Sequence, residues 1–182
     1  MIDFALPADA VAPQLLGCTL THAGVSIRLT EVEAYLGAED SAAHTFNGKT
    51  PRNAAMFGPP GRFYVYISYG IHRNVNIVCA PEGTGQGCLL RGGEIIEGAD
   101  TAFARRGTSD FHNLARGPGN LGKALGFTLE DNHQPIQIVE RTTEPEWVCG
   151  PRIGISKNKK AALRFWIPLD KTVSGRRGYP KK

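Results

Sequence analysis

The run from Gly24 to Leu36 constrains the fold most strongly. With a period of two, Val25, Ile27, Leu29, Glu31, Glu33 and Tyr35 share one face of an extended strand. The apolar half of that face belongs to a core, and the strand then delivers Glu31, Glu33 and Tyr35 to its far end. A carboxylate at the rim of a core is partly desolvated, which raises its proton affinity. That suits a general base working near neutral pH. For a glutamate taken alone, an ion pair at a solvated strand end is the simpler reading.

The next stretch adds groups of matching chemistry. Residues 37–60 read as a loop with one helical turn near Asp40 to His44, and a lone histidine such as His44 is more often structural than functional. Lys49, Arg52 and Arg62 place positive charge near the carboxylates, as a phosphate-binding edge or as a solvated loop with equal weight. Phe63 to Ser68 and Asn74 to Ala80 read as strands joined by a projecting tip that bears Tyr69, Ile71, His72 and Arg73. Exposed Tyr and Ile beside basic residues make sense as a wedge for a nucleic-acid groove. Tyr64 and Tyr66 share a strand face and could stack on a base, although tyrosines at this spacing are more often core.

The remaining segments read as support. Gln14 to Leu16 closes a short helix with Gly17 as its cap. A strand over Gln86 to Ile96 carries Arg91 directly after an apolar run, a buried charge that needs an anionic partner. A helix is expected from Glu94 to Ala104, and a glycine-rich start to another over Gly117 to Gly126. Free N–H groups at such a start can hold a phosphate. Late strands are expected at Pro135 to Glu140 and Leu163 to Pro168, with the basic run Lys157 to Lys160 as a solvated loop between them. Residues 175–182 read as a frayed, flexible basic tail. With no repeat and no linker, residues 1–182 form one domain.

The totals set broad bounds. At 182 residues the chain can bury a core without disulfides or a structural metal. A net charge of +4 leans only weakly toward a polyanionic partner. Cys18, Cys79, Cys88 and Cys149 form no Cys-x-x-Cys pair, which argues against a cysteine-rich metal site and for reduced, buried thiols. With no secretory signal and no apolar run long enough to span a membrane, the expectation is a soluble, cytoplasmic protein.

Taken in order, Glu-Ala-Tyr-Leu-Gly at 33–37, Ala-Ala-His at 42–44, Thr-Pro-Arg-Asn at 50–53 and Tyr-Val-Tyr-Ile-x-Tyr-Gly at 64–70 resemble the 3-methyladenine DNA glycosylase family of the alkyladenine type. Leu-Leu-Arg at 89–91, Gly-Pro at 117–118 and Leu-Arg-Phe at 163–165 extend the resemblance to nearly the whole chain. It implies a single α+β domain, a curved and mostly antiparallel sheet flanked by helices with a protruding hairpin. It implies a monomeric enzyme with no cofactor or metal, nucleoid-associated in a bacterium, that flips a damaged purine from duplex DNA and hydrolyses its N-glycosidic bond. The expected substrates are alkylated or deaminated purines such as 3-methyladenine, hypoxanthine and ethenoadenine.

By the same likeness, Glu33 would activate water and Arg91 would help to hold it. Tyr35, His44 and Tyr66 would clasp the flipped base, Asn76 would line the pocket against the guanine amine, and Tyr69 would fill the gap in the duplex. Arg52, Arg73 and Lys123 would contact the DNA backbone. Asn120 stands where the family often has a lysine, and Lys123, one turn later, is the substitute. The competing readings are a damaged-DNA-binding or RNA-binding module of the same fold without turnover, and a small-molecule nucleoside hydrolase. A carboxylate beside a phosphate backbone counts against the first, and the projecting hairpin against the second.

Overall fold

A computed structural model describes residues 1–180. Among these, eight strands form one antiparallel sheet with three helices against it, the α+β architecture expected. The strands are β1 (Thr19–His22), β2 (Val25–Tyr35), β3 (Phe63–Ser68), β4 (His72–Cys79), β5 (Gln86–Glu97), β6 (Ile138–Val139), β7 (Val148–Gly150) and β8 (Arg164–Trp166). They follow the order β3-β4-β5-β2-β1-β6, while β8 pairs with both β2 and β7.

Strand β2 organises the rest. One edge pairs with β5 along its length; the other pairs with β1 up to Arg28 and with β8 from Glu31 onward. The fork falls at a bulge: Leu29 pairs with Gly93 and Glu31 with Gly92, so Thr30 has no partner on β5. One extra residue turns the strand over. Val25, Ile27 and Leu29 therefore share the core with Val32 and Ala34, whereas Glu31, Glu33 and Tyr35 leave it for the opposite side. This corrects the expectation that all six alternating residues lie on one face.

The helices cover the apolar face. Helix α1 (Ala8–Leu15) buries Ala8, Val11, Ala12 and Leu15, a stripe at helical spacing, and Gly17 beyond it has a φ of +83°. Helix α2 (Ala99–Arg106) begins later than expected, because β5 runs on through Glu97. Gly92 and Gly93 permit that: a Cβ on Gly92 would stand 2.7 Å from the Thr172 carbonyl oxygen. Helix α3 (Pro118–Ala124) packs on β4 and β5, with Gly119 beneath the His72 ring and Gly122 against the Arg73 carbonyl.

Three further expectations change. Short 3-10 turns occupy Gly37–Glu39 and Ala54–Phe57 in place of a helical turn near Asp40 to His44. Strand β7 arises where none was expected, held by its pairing with β8. The segment after Val173 is not frayed across the described residues. Arg164 donates to the carbonyls of Ser174 and Arg176, Trp166 to that of Gly178, and Tyr179 to Glu146. Lys181 and Lys182 lie outside the described residues. No helix among the described residues is long and apolar enough to cross a membrane.

Candidate active site

The sheet's second face is polar where the first is apolar. Tyr64 and Tyr66 of β3, Asn74 and Asn76 of β4, Leu89 and Arg91 of β5 and Tyr35 of β2 meet around a cavity of about 550 Å³. That is within the range of small-ligand pockets. The loop 153–157, which follows β7, also lines it, as do His44, Arg52 and Tyr69.

Glu33 is fully buried and does not itself line this cavity, but its neighbours Tyr35, Arg91 and Ile153 do. The backbone N–H of Ile153 donates to its Oε1 at 2.8 Å, the Tyr35 hydroxyl donates to its Oε2 at 2.8 Å, and Arg91 Nε stands 3.4 Å from Oε1. Burial pushes the Glu33 carboxyl above its ordinary value; Arg91, the Ile153 amide and the Tyr35 hydroxyl oppose that without cancelling it. Burial also disfavours the charge on Arg91, but Glu33 and Glu31 outweigh it and hold the guanidinium protonated. An ionised carboxylate offers about four acceptor sites. Two are engaged by hydrogen bonds, and the Nε proton of Arg91 goes to Glu31, so Glu33 retains room for further donors.

Glu31 is the partner that the Arg91 argument required beside Glu33. It accepts from Arg91 at 3.2 Å, from Arg164 at 2.6 Å, and from the Ser174 N–H and hydroxyl at 2.6 and 3.0 Å. Arg91 therefore spans two buried carboxylates, one saturated and one not.

The aromatic wall is close-set. The Tyr64 and Tyr66 rings stack at 5.7 Å between centroids, and His44 meets Tyr66 edge-on at 4.4 Å. Desolvation by surrounding residues, and then the Arg52 charge, lower the pKa of the otherwise exposed His44, favouring a neutral imidazole. Burial and the neighbouring Glu33 raise that of Tyr35, and burial raises that of Tyr66. The Tyr64 hydroxyl is pushed up to about 12, chiefly by burial. It has no hydrogen-bond partner in the protein, and neither has Asn74 Oδ1, whose amide nitrogen donates to the Tyr66 hydroxyl at 3.1 Å. Asn76 donates to the Tyr64 carbonyl and is buried.

The hairpin projects beside the cavity. Ser68 pairs with His72, leaving Tyr69, Gly70 and Ile71 as the tip. Tyr69 has a φ of +50°, a left-handed conformation uncommon outside glycine, and its side chain is 92% exposed. Arg52 donates to the Ile67 carbonyl and Arg73 to that of Ile71, so both remain at the hairpin with guanidinium donors to spare. Lys123 is exposed on α3 and lies outside the cavity wall, and Asn120 donates to the Arg116 carbonyl.

Two parts of the site escaped the sequence reading. The loop after β7 supplies both the cavity wall and the Ile153 amide, yet its basic run read as solvated. Arg152, buried with Asp40, sits among Gly150, Pro151, Ile153 and Gly154 with no nearby acid in sequence. The buried-charge argument applied to Arg91 would have found it.

A family model described as methylpurine-DNA glycosylase matches residues 2–171. The chain is 68% identical to a protein of Corynebacterium efficiens over 185 aligned positions, spanning 99% of this chain and 97% of that one. It is 51% identical to one of Cutibacterium acnes (97% and 100% covered) and 44% identical to one of Mycobacterium leprae (93% and 85% covered). All three relatives are provisionally named 3-methyladenine DNA glycosylases.

Proposed function

The chain belongs to the methylpurine-DNA glycosylase family, and on that premise we propose that it excises alkylated and deaminated purines from duplex DNA, with Glu33 activating the hydrolytic water. The observation that carries this reading is a buried carboxylate with unfilled acceptor sites, whose neighbours Tyr35, Arg91 and Ile153 line an aromatic cavity shared with the exposed hairpin residue Tyr69.

The chemistry follows from the groups present. A base inside the stack is out of reach, so it is extruded at a cost of a few kcal/mol. Tyr69 fills the gap, and Tyr35, Tyr66 and His44 hold the extruded base, with stacking on an aromatic ring contributing roughly 1–3 kcal/mol per base. Glu33 accepts a proton from water as the water oxygen bonds to C1′. The C1′–N bond breaks with its electron pair leaving on the purine. A cationic purine such as 3-methyladenine departs neutral, whereas hypoxanthine departs as an anion that takes a proton from solvent water. Ionised Glu33 also stabilises the positive charge that develops on the sugar. Asn76 disfavours the guanine amine, and Arg52, Arg73 and Lys123 contact phosphates.

The test is single-turnover base release from duplexes carrying one hypoxanthine or methylated purine, scored as abasic sites by alkaline cleavage. Release by the parent and its loss in Glu33→Gln is the expected result. Binding without release by the parent would favour a binding module of the same fold, and release that survives Glu33→Gln would remove Glu33 as the base.

A further inference from the structure

We propose that the buried Asp40–Arg152 ion pair is a positioning device for Glu33, fixing the donors on both of its carboxylate oxygens. This rests on the reading of Glu33 as the base.

Asp40 and Arg152 make a two-pronged pair at 2.5 and 2.8 Å, with side chains 1% and 0% exposed. Arg152 also donates to the Ala34 carbonyl at 2.9 Å, tying the loop after β7 to the end of β2. Its guanidinium carbon lies 4.5 Å from the centre of the Tyr35 ring. The next backbone N–H, that of Ile153, is the donor to Glu33 Oε1, and the Tyr35 hydroxyl is the donor to Oε2. One guanidinium thus holds the ring that serves one oxygen and the peptide that serves the other.

Asp40 anchors the arrangement from the other side. It accepts from the N–H groups of Leu36 and Ala42 and from the Asn158 side chain, closing the loop whose residues 153–157 wall the cavity. Neither Asp40 nor Glu33 hydrogen-bonds the other, so the pair acts through the peptide and the ring.

The charged and titratable groups around Glu33 are Glu31 and Tyr35 on β2, Arg91 on β5, Tyr66 on β3, Arg164 in register on β8, and Arg152 itself. The Ile153 and Tyr35 hydrogen bonds favour the ionised carboxylate. Loosening either one raises the proton affinity of Glu33 further. The acidic limb of the pH–rate profile then moves to higher pH.

The experiment compares the parent with Arg152→Gln, Arg152→Lys and Asp40→Asn in single-turnover base release at varied enzyme concentration and pH. The Glu33 carboxyl is titrated in parallel by carbon NMR. Arg152→Gln should lower the maximal rate by about 100-fold, the scale of a misplacement remote from the chemistry. The half-saturating concentration should change little, the acidic limb should shift upward, and Arg152→Lys should restore part of the rate. Thermal unfolding identifies variants that fail to fold, and Asp40→Asn, the milder change, then carries the test. A lowered rate with the limb in place would overturn the proposal. If the parent releases no base, the functional reading fails on its own; an unmoved Glu33 titration in Arg152→Gln would still overturn the pair's role.

Discussion

Glu31 and Glu33 stand two residues apart on one strand, on the same side of the sheet, and both are completely buried. They differ in how far they are satisfied. Glu31 has four donors from two arginines and Ser174, which fill the capacity of an ionised carboxylate. Glu33 has one backbone amide and one phenol as donors, and the Arg91 Nε that donates to Glu31 stands 3.4 Å from it as an ion-pair contact. A saturated carboxylate joins β2, β5, β8 and the segment after Val173 and has nothing left for a substrate. An unsaturated one beside a cavity is costly to the fold and able to take a proton. On the proposed reading of Glu33 as the base, structure and chemistry divide between neighbouring side chains of one type.

The largest expected effect sharpens that division. Glu33→Gln should slow base release by about 10²–10⁴-fold, the range for a positioned base, while leaving the protein folded. The sign follows from linkage. A carboxyl whose folded pKa lies above the ordinary 4.5 disfavours folding when ionised, and that cost shrinks as pH falls through the folded value and is gone below 4.5. Removing the charge should therefore raise stability at neutral pH by about 1 kcal/mol, the usual scale of such active-site gains. A thermal midpoint that falls instead would erase the contrast. Glu31→Gln should do the reverse, leaving Arg91 and Arg164 without a full counter-charge and costing about 3–5 kcal/mol in chemical unfolding. An unchanged unfolding midpoint would show that Glu31 is not structural.

Asp40 supplies a third point on the same scale. Burial raises its pKa, but hydrogen bonds from Arg152 and Asn158 and the Arg152 charge outweigh this and lower it from 3.8 to about 2. A depressed carboxyl stabilises the fold above its ordinary pKa and loses that contribution as pH falls through the folded value. The loss spans pH 3.8 to about 2 and amounts to about 2 kcal/mol. Acid unfolding followed by circular dichroism should lose this component in Asp40→Asn, and an identical acid limb would remove the ion pair from the ledger of stability.

The smallest effect concerns the orphaned Tyr64 hydroxyl. If its place at the cavity serves a bound base, Tyr64→Phe should slow base release by several-fold. Relieved of an unpartnered buried group, the variant should also gain up to about 1 kcal/mol of stability. Unchanged release with raised stability would mark the hydroxyl as idle.

Much of this site was legible in one dimension. Arg91 after an apolar run signals a buried charge in need of an anion, and two carboxylates answer it. Tyr64, Tyr66, Tyr69, Asn74 and Asn76 all belong to one hairpin, so local strand pairing alone brings them together. The bulge at Thr30 was not legible, because nothing in Leu29-Thr30-Glu31 marks an extra residue; it arises where β1 yields to β8 as the partner of β2. The strand expected over Gln86 to Ile96 runs one residue further, across two glycines that crowding, not flexibility, selects, and it is the helix expected from Glu94 that starts late, at Ala99. Nor could local pattern show that Ile153 would meet Glu33 across 120 positions, or that Gly175 onward would dock on Arg164 and Trp166.

The contact between Glu31 and Ser174 spans 143 positions of the chain. At the usual pace of synthesis, Glu31 leaves the ribosome on the order of ten seconds before the residue that completes its ring of donors. During that interval the cluster that braces Arg91 cannot close, so a nascent chain carries the parts of the enzyme without the enzyme. The donors of Ser174 join that cluster only once the region around it is free to fold back on β2.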